Sequence, residues 1–204
     1  MDTVGKGRII KVRDKIIIGS DEAGKGEWLG PLTIAAVALS PEQSTYLISQ
    51  GVKDSKKLKI DEIIRLAKII KKNCLAYYIV VITPEKFNKA FKIIKNENKT
   101  INLNHILAQG HVKAINAVYK KLLTKDVPSN HIKVIIDEFD KVKVNEQIKK
   151  SPTLSLLDIE QKPTAEKEVA VAAASILARA AREHWIDRTS RRLNVNLRKL
   201  SVLN

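Results

Sequence analysis

The chain has 204 residues, 44% of them hydrophobic and 29% charged, enough to bury one domain core and too apolar for a disordered chain. Lys and Arg number 37 against 22 Asp and Glu, and the resulting net charge of +15 favours a polyanionic partner, nucleic acid before acidic membrane. The N-terminus carries no long apolar stretch and no segment approaches a membrane span, so a cytosolic chain with no membrane partner is expected.

In chain order, Arg8–Val12 and Lys15–Gly19 flank Arg13-Asp14 and predict a hairpin. The apolar, β-branched run Leu32–Leu39 after Gly30-Pro31 predicts a strand, and Pro41–Gln50 a short helix. Over Ile60–Lys72 the residues Ile63, Ile64, Leu66, Ala67 and Ile70 keep helical spacing, with Asp61 and Glu62 suited to the positive first turn. Cys74 is alone, which excludes an internal disulfide; ahead of Leu75 it reads as a buried structural thiol. Leu75–Thr83 predicts a strand, Pro84–Lys95 and Ile101–Thr124 predict helices, and Lys133–Ile136 predicts a buried strand ending at Asp137. Thr153–Glu160 reads as a last strand and Ala165 to about Leu193 as a long helix. No repeat or linker divides the chain, so residues 1–204 are expected to form a single α/β domain, a mixed sheet covered by helices.

Acids occupy three good structural positions. Ile16–Ser20 runs into Asp21-Glu22 and a glycine-rich turn, although neighbouring side chains on a strand point to opposite faces. Either the strand ends there or Glu22 contributes its carbonyl; two acids opening a turn would look the same. Asp137 ends a buried strand, where open α/β sheets place ligands, while Glu138 and Asp140 read as surface. Glu166 follows Thr164, a plausible N-cap, so the helix dipole alone would favour an acid there. As a set, a few scattered carboxylates suit a hard divalent cation that keeps several waters, and such ions assist phosphodiester cleavage.

Gly24-Lys25-Gly26 lets backbone approach a ligand, and Lys53-Asp54-Ser55-Lys56-Lys57 has the composition of a phosphate-contacting loop or a solvated lysine loop. Trp28 suits core packing or stacking on a base. Val169–Arg179 is helical and small-faced; Ser175 and Arg179 can reach phosphates from it. His105, His111, His131 and His184 show no metal-binding spacing and read as ordinary.

Taken in order, Gly19–Gly26 with Gly30-Pro31, then Asp54–Leu58, Ile135–Phe139 and Ala173–Arg179, resemble the ribonuclease HII/HIII family. The likeness runs from residue 15 to about 185, and the motifs are highly specific as a set. It implies a ribonuclease H-like fold with a mixed five-stranded sheet. It also implies Mg2+- or Mn2+-dependent endonucleolysis of the RNA strand of RNA–DNA hybrids, leaving 5′-phosphate and 3′-hydroxyl ends; a monomer is expected. By motif, Asp21, Glu22, Asp137 and Glu166 match the family's metal-binding catalytic acids, the fourth being Asp in HII-type and usually Glu in HIII-type enzymes. Gly24, Lys25 and Gly26 match the motif that reads the sugar–phosphate backbone, Ser55, Lys56 and Lys57 a substrate loop, and Ser175 and Arg179 the helix motif beside it.

Ser20, Phe139, Glu166 and Arg179 lean towards HIII. The alternatives are an HII-type enzyme cutting at single embedded ribonucleotides and a binding module without catalysis. Lys25 stands where Arg or Thr is common, and Glu166 lies about one residue closer to Ser175 than the pattern, so Glu168 is a rival. The separate N-terminal substrate-binding domain of many HIII enzymes is expected to be absent, and the C-terminus to be short, since relatives often continue beyond Leu193.

Overall fold

Leu32–Leu39 shows no polar alternation, and such a run needs cover on both faces; all eight of its residues are buried. The structure is a computed structural model that describes residues 15–27, 29–53, 55–89, 103–138 and 140–200, with the backbone alone for Glu166. The expected strand at Arg8–Val12, Trp28, Asp54, Phe139, the Glu166 side chain and the helical readings over residues 90–95 and 101–102 lie outside the described residues.

One sheet contains β1 (Ile16–Ala23), β2 (Leu32–Leu39), β3 (Ala76–Ile82), β4 (Ile132–Asp137) and β5 (Asp158–Lys162) in spatial order β3-β2-β1-β4-β5. The β1–β2 and β2–β3 pairs are antiparallel, whereas β1–β4 and β4–β5 are parallel. The sheet therefore changes sense at β1, and β1 and β4 deliver their carboxyl ends to the same edge. The helices are α1 (Pro41–Ser49), α2 (Ile60–Asn73), α3 (Leu103–Leu123), α4 (Lys141–Lys149), α5 (Val169–Leu193) and α6 (Leu197–Leu200), and residues 84–89 are helical.

Strand alternation divides the apolar residues between two cores. Ile18, Ile34 and Val134 share one with Leu107, Ile115 and Leu122 of α3. On the other face, Ala35 and Val37 share a core with Leu66 and Ile70 of α2 and with Ala173 and Leu177 of α5. A reciprocal cap starts α1: the Gln43 N–H donates to the Ser40 hydroxyl at 3.3 Å, and the Ser40 N–H donates to the Gln43 side chain at 3.0 Å. Cys74 is partly buried, and burial pushes its thiol up to about 11, as befits an unreactive group.

Three readings of the sequence need correction. Residues 153–157 are not strand: Leu154 N–H bonds to Ser151 O and Leu157 N–H to Leu154 O, winding this stretch into turns that send Leu154 and Leu157 inward. The long helix begins at Val169, because Ala165–Lys167 forms a separate 3-10 turn and Glu168 intervenes with extended backbone. Thr164 is left-handed, with φ of 55°, and its side chain caps nothing. The sequence reading also missed α4, which buries only Val144 and is started by Asp140, whose carboxylate accepts from the Lys143 N–H at 3.0 Å.

The small-residue face of α5 lies against β1 at backbone contact. A Cβ on Gly19 would sit 2.1 Å from the Ala170 carbonyl carbon and 2.2 Å from the Val171 nitrogen. Thr33 ties the same helix to β2 by donating to Ala178 O at 2.9 Å. Gly19→Ala is therefore expected to destabilise the fold by about 3 kcal/mol or more, since backbone cannot give way as a side-chain tip can. Urea denaturation checks this; a loss below about 1 kcal/mol would mean that the strand and helix can part cheaply.

Candidate active site

At the carboxyl ends of β1 and β4 lies a cavity of about 510 Å³ whose lining includes Asp21, Glu22 and Asp137. β1 continues through both acids to Ala23, so the strand does not end at Asp21. Asp21 pairs with Ala35 on the α5 side of the sheet, and Glu22 with Ile34 on the α3 side. The two carboxylates thus leave opposite faces and meet at the rim.

Each acid has its own partners. Asp21 Oδ1 accepts from the Glu22 N–H at 2.8 Å, and the Ser175 hydroxyl also bonds to Asp21. Ser55 Oγ lies 2.8 Å from Ser175 Oγ; with Ser175 donating to the carboxylate, Ser55 donates to Ser175. Glu22 Oε2 lies 3.1 Å from Nε2 of the fully buried His111, and Glu22 Oε1 lies 3.8 Å from Lys25 Nζ. Asp137 Oδ1 accepts from the Ala165 N–H at 2.9 Å, which ties the turn containing Glu166 to the end of β4.

The electrostatics differ between neighbours. Burial raises Asp21 first, and the charges of Glu22 and Asp137 add to it, so its carboxyl is pushed up to about 6 against the hydrogen bonds from Ser175 and the Glu22 N–H. Burial also pulls Glu22 upward, but the hydrogen bond and charge of His111, with Lys25, outweigh it and hold Glu22 below its ordinary value. Among the described residues no three His, Cys, Asp or Glu side chains form a ready-made metal cage. The donor set fits a hard divalent ion nonetheless, being carboxylate oxygens on a cavity with room for retained waters.

Of the residues proposed from sequence to contact substrate, Gly24, Lys25, Ser55, Lys56, Ser175 and Arg179 line this cavity. Gly24 needs its positive φ of 93°, and a Cβ there would meet Pro31 O at 2.5 Å. Gly26 faces an adjoining pocket with Phe87 and Leu103, and Lys57 another with Lys53 and Lys167. The Arg179 guanidinium donates to the carbonyls of Ser55 and Leu58, so its hydrogen bonds hold the 55–58 loop. Glu168 does not line the cavity; its Oε1 lies 3.4 Å from Lys162 Nζ.

His111 and Arg182 were not singled out in the sequence. His111 falls in the buried stripe Leu107, His111, Ala114 and Val118 of α3, and a polar residue in such a stripe is the signal that could have found it. Arg182 extends the Ser175, Arg179 face of α5 by a turn, lines the cavity, and donates to Leu29 O at 2.9 Å.

The raised Asp21 carries a stability consequence. Its protonated form is favoured by the fold, so the stabilisation is complete below the unfolded value near 3.8 and is lost as pH rises through about 6. In chelator, the wild-type chain is expected to lose about 2 kcal/mol between pH 4 and pH 7 from this group, and Asp21→Asn to lose that slope. Denaturation midpoints across pH check it; parallel pH profiles for the two proteins would contradict it.

The profile of the ribonuclease HII family matches residues 18–201. A ribonuclease HIII from Protochlamydia amoebophila is 40% identical over 182 residues, which cover 89% of this chain and 56% of that one. The solved structure of a ribonuclease HIII in complex with Mn2+ (Bst-RNase HIII) superposes with a TM-score of 0.74 at 27% identity, covering 89% of this chain and 56% of its own. A ribonuclease HII from Archaeoglobus fulgidus, solved in complex with PCNA, gives 0.64 at 29% identity, covering 87% and 76%. The chain thus spans a little over half the length of the ribonuclease HIII relatives it matches. These neighbours share the ribonuclease H-like arrangement of helices about a mixed sheet. Since the profile match takes in both acid-bearing strands, the Gly24–Gly26 turn and all of α5, the chain belongs to the ribonuclease HII family.

Proposed function

We propose that this chain carries a metal-dependent endoribonuclease of the ribonuclease HIII type, cutting the RNA strand of RNA–DNA hybrids to leave 5′-phosphate and 3′-hydroxyl ends. The observation that carries this reading is the convergence of Asp21, Glu22 and Asp137 on one cavity of a chain with net charge +15. A pure nucleic-acid binder gains nothing from three acids facing phosphates. Likeness in sequence to ribonucleases HIII favours HIII.

Asp21, Glu22, Asp137 and Glu166 are the proposed ligands for Mg2+ or Mn2+. Glu166 is preferred to Glu168 because its backbone belongs to the turn held by Asp137, whereas Glu168 turns to Lys162. When bound, divalent ions activate water and stabilise the leaving oxygen of a phosphodiester. The chain's own groups do the positioning. Ser175, itself bonded to Ser55, holds the Asp21 carboxylate, and Arg179 fixes the loop that brings Lys56 to the cavity. Gly24 lets backbone approach the RNA strand and its 2′-hydroxyls, the feature that separates RNA from DNA. We take the enzyme to act in the cytosol as a monomer; among the described residues no helix is long and apolar enough to cross a membrane.

Asp137→Asn is expected to fold and bind hybrid while losing about 10²–10³ in rate, the scale of removing one preorganised electrostatic group. Glu166→Gln should abolish turnover and Glu168→Gln should not. Near-normal turnover of Asp137→Asn in Mg2+ would remove it from the site, and the reverse result for the two glutamates would move the fourth role to Glu168.

Substrate choice gives a second test. No tyrosine lies between Arg179 and Asn204, a region in which HII-type enzymes are associated with a junction-sensing tyrosine. Duplexes with tracts of about four or more ribonucleotides are expected to be cut well, and a lone embedded ribonucleotide poorly. Parallel digestion of the two labelled duplexes decides: equal or preferred cutting at the lone ribonucleotide would make the chain HII-type, and failure to cut either in Mg2+ or Mn2+ would leave a binding module.

A further inference from the structure

Two adjacent acids on a regular strand point to opposite faces, so one of them needs help to serve a site shared with the other. Asp21 has that help on the α5 side, from Ser175. On the α3 side Glu22 has three rotatable bonds, and Lys25 Nζ at 3.8 Å is an exposed partner that does not fix a direction.

His111 does. It arrives from α3 fully buried, beside Gly110, where a Cβ would lie 2.7 Å from Ile34 Cδ1; the bare glycine lets α3 settle close over the sheet. Its Nε2 lies 3.1 Å from Glu22 Oε2, and its Nδ1 lies 2.8 Å from the Ser20 hydroxyl, itself 2.9 Å from Ala35 O. A carboxylate only accepts, so the hydrogen of the first contact sits on Nε2. At Nδ1 either partner can supply the hydrogen, because Ser20 can donate to the ring or to Ala35 O. The ring is therefore anchored at both nitrogens, and one Glu22 oxygen is tied back while the other, Oε1, is left on the Lys25 side of the rim.

We propose that His111, steadied by Ser20, is a positioning residue that holds the Glu22 carboxylate at the rim so that acids from opposite faces of β1 serve one site, a role resting on the reading of Glu22 as a metal ligand. Groups that orient a ligand in this way commonly change metal affinity or activity by about 10–100-fold when removed.

The test uses the whole chain, with Mn2+ binding by calorimetry and cleavage of a labelled hybrid. His111→Phe is expected to weaken Mn2+ binding about 10-fold or more and to lower kcat about 10–100-fold, with KM for hybrid within about threefold. His111→Gln, which keeps a side-chain N–H donor, should recover part of both. Circular dichroism reports folding; if His111→Phe does not fold, Ser20→Ala, which frees only the far nitrogen, carries the test with an expected loss of about threefold in Mn2+ affinity. Mn2+ affinity and kcat within about twofold of wild type in the folded variant would overturn the proposal, on the same 10–100-fold scale. Independently of activity, ring ¹⁵N shifts in the metal-free protein should place a hydrogen on Nε2, and a hydrogen on Nδ1 alone would overturn it. A wild-type chain that neither binds Mn2+ nor cuts hybrid would refute the proposed function, while the ring shifts would still decide the His111–Glu22 contact.

Discussion

Everything at the candidate site is indexed by the contact between β1 and α5, where no side chain separates strand from helix. Gly19 meets the Ala170 and Val171 backbone directly, and that meeting sets both the height and the rotation of α5 over the sheet. A little over one turn further on, Ser175 reaches Asp21; another turn on, Arg179 reaches the 55–58 loop; Arg182 then reaches Leu29. The alanines of α5 are the condition for this, since larger residues would lift the helix and move those groups together. A packing choice made at the start of the helix is thus transmitted along a rigid rod to the cavity.

The same geometry explains the contrast between Asp21 and Glu22. Asp21 lies under α5, with two other carboxylates nearby and only neutral donors, and its carboxyl is pushed up to about 6. Glu22 lies under α3, where a buried histidine faces it, and falls below its ordinary value. Opposite faces of one strand give neighbouring acids opposite electrostatics.

What could be read from the sequence was whatever has a strong local period. The strands at Leu32–Leu39 and before Asp137, the helix over Ile60–Lys72 and the small face of α5 all declare themselves through burial pattern. Asp21, Glu22 and Asp137 could be read as acids near the carboxyl ends of buried strands, though β1 runs on past both of its acids. What escaped depends on partners distant in sequence or on weak patterns. α4 buries one residue, so its polarity hid it. The break before Val169 arises because Ala165 is drawn to Asp137, a contact no local window contains. His111 looks ordinary until Ser20 and Glu22, some ninety residues earlier, are placed against it.

The change of sense at β1 also sets an order of assembly. Its antiparallel neighbour β2 follows directly and can pair early, but its parallel neighbour β4 comes more than a hundred residues later, and α5 later still. Contacts of such long separation form slowly, because the intervening chain must first be ordered. During synthesis Asp21 and Glu22 therefore exist well before Asp137 and the turn at Glu166 can join them. A partly made chain holds Asp21 and Glu22 without Asp137, so the three acids of the cavity come together only as β4 joins the sheet.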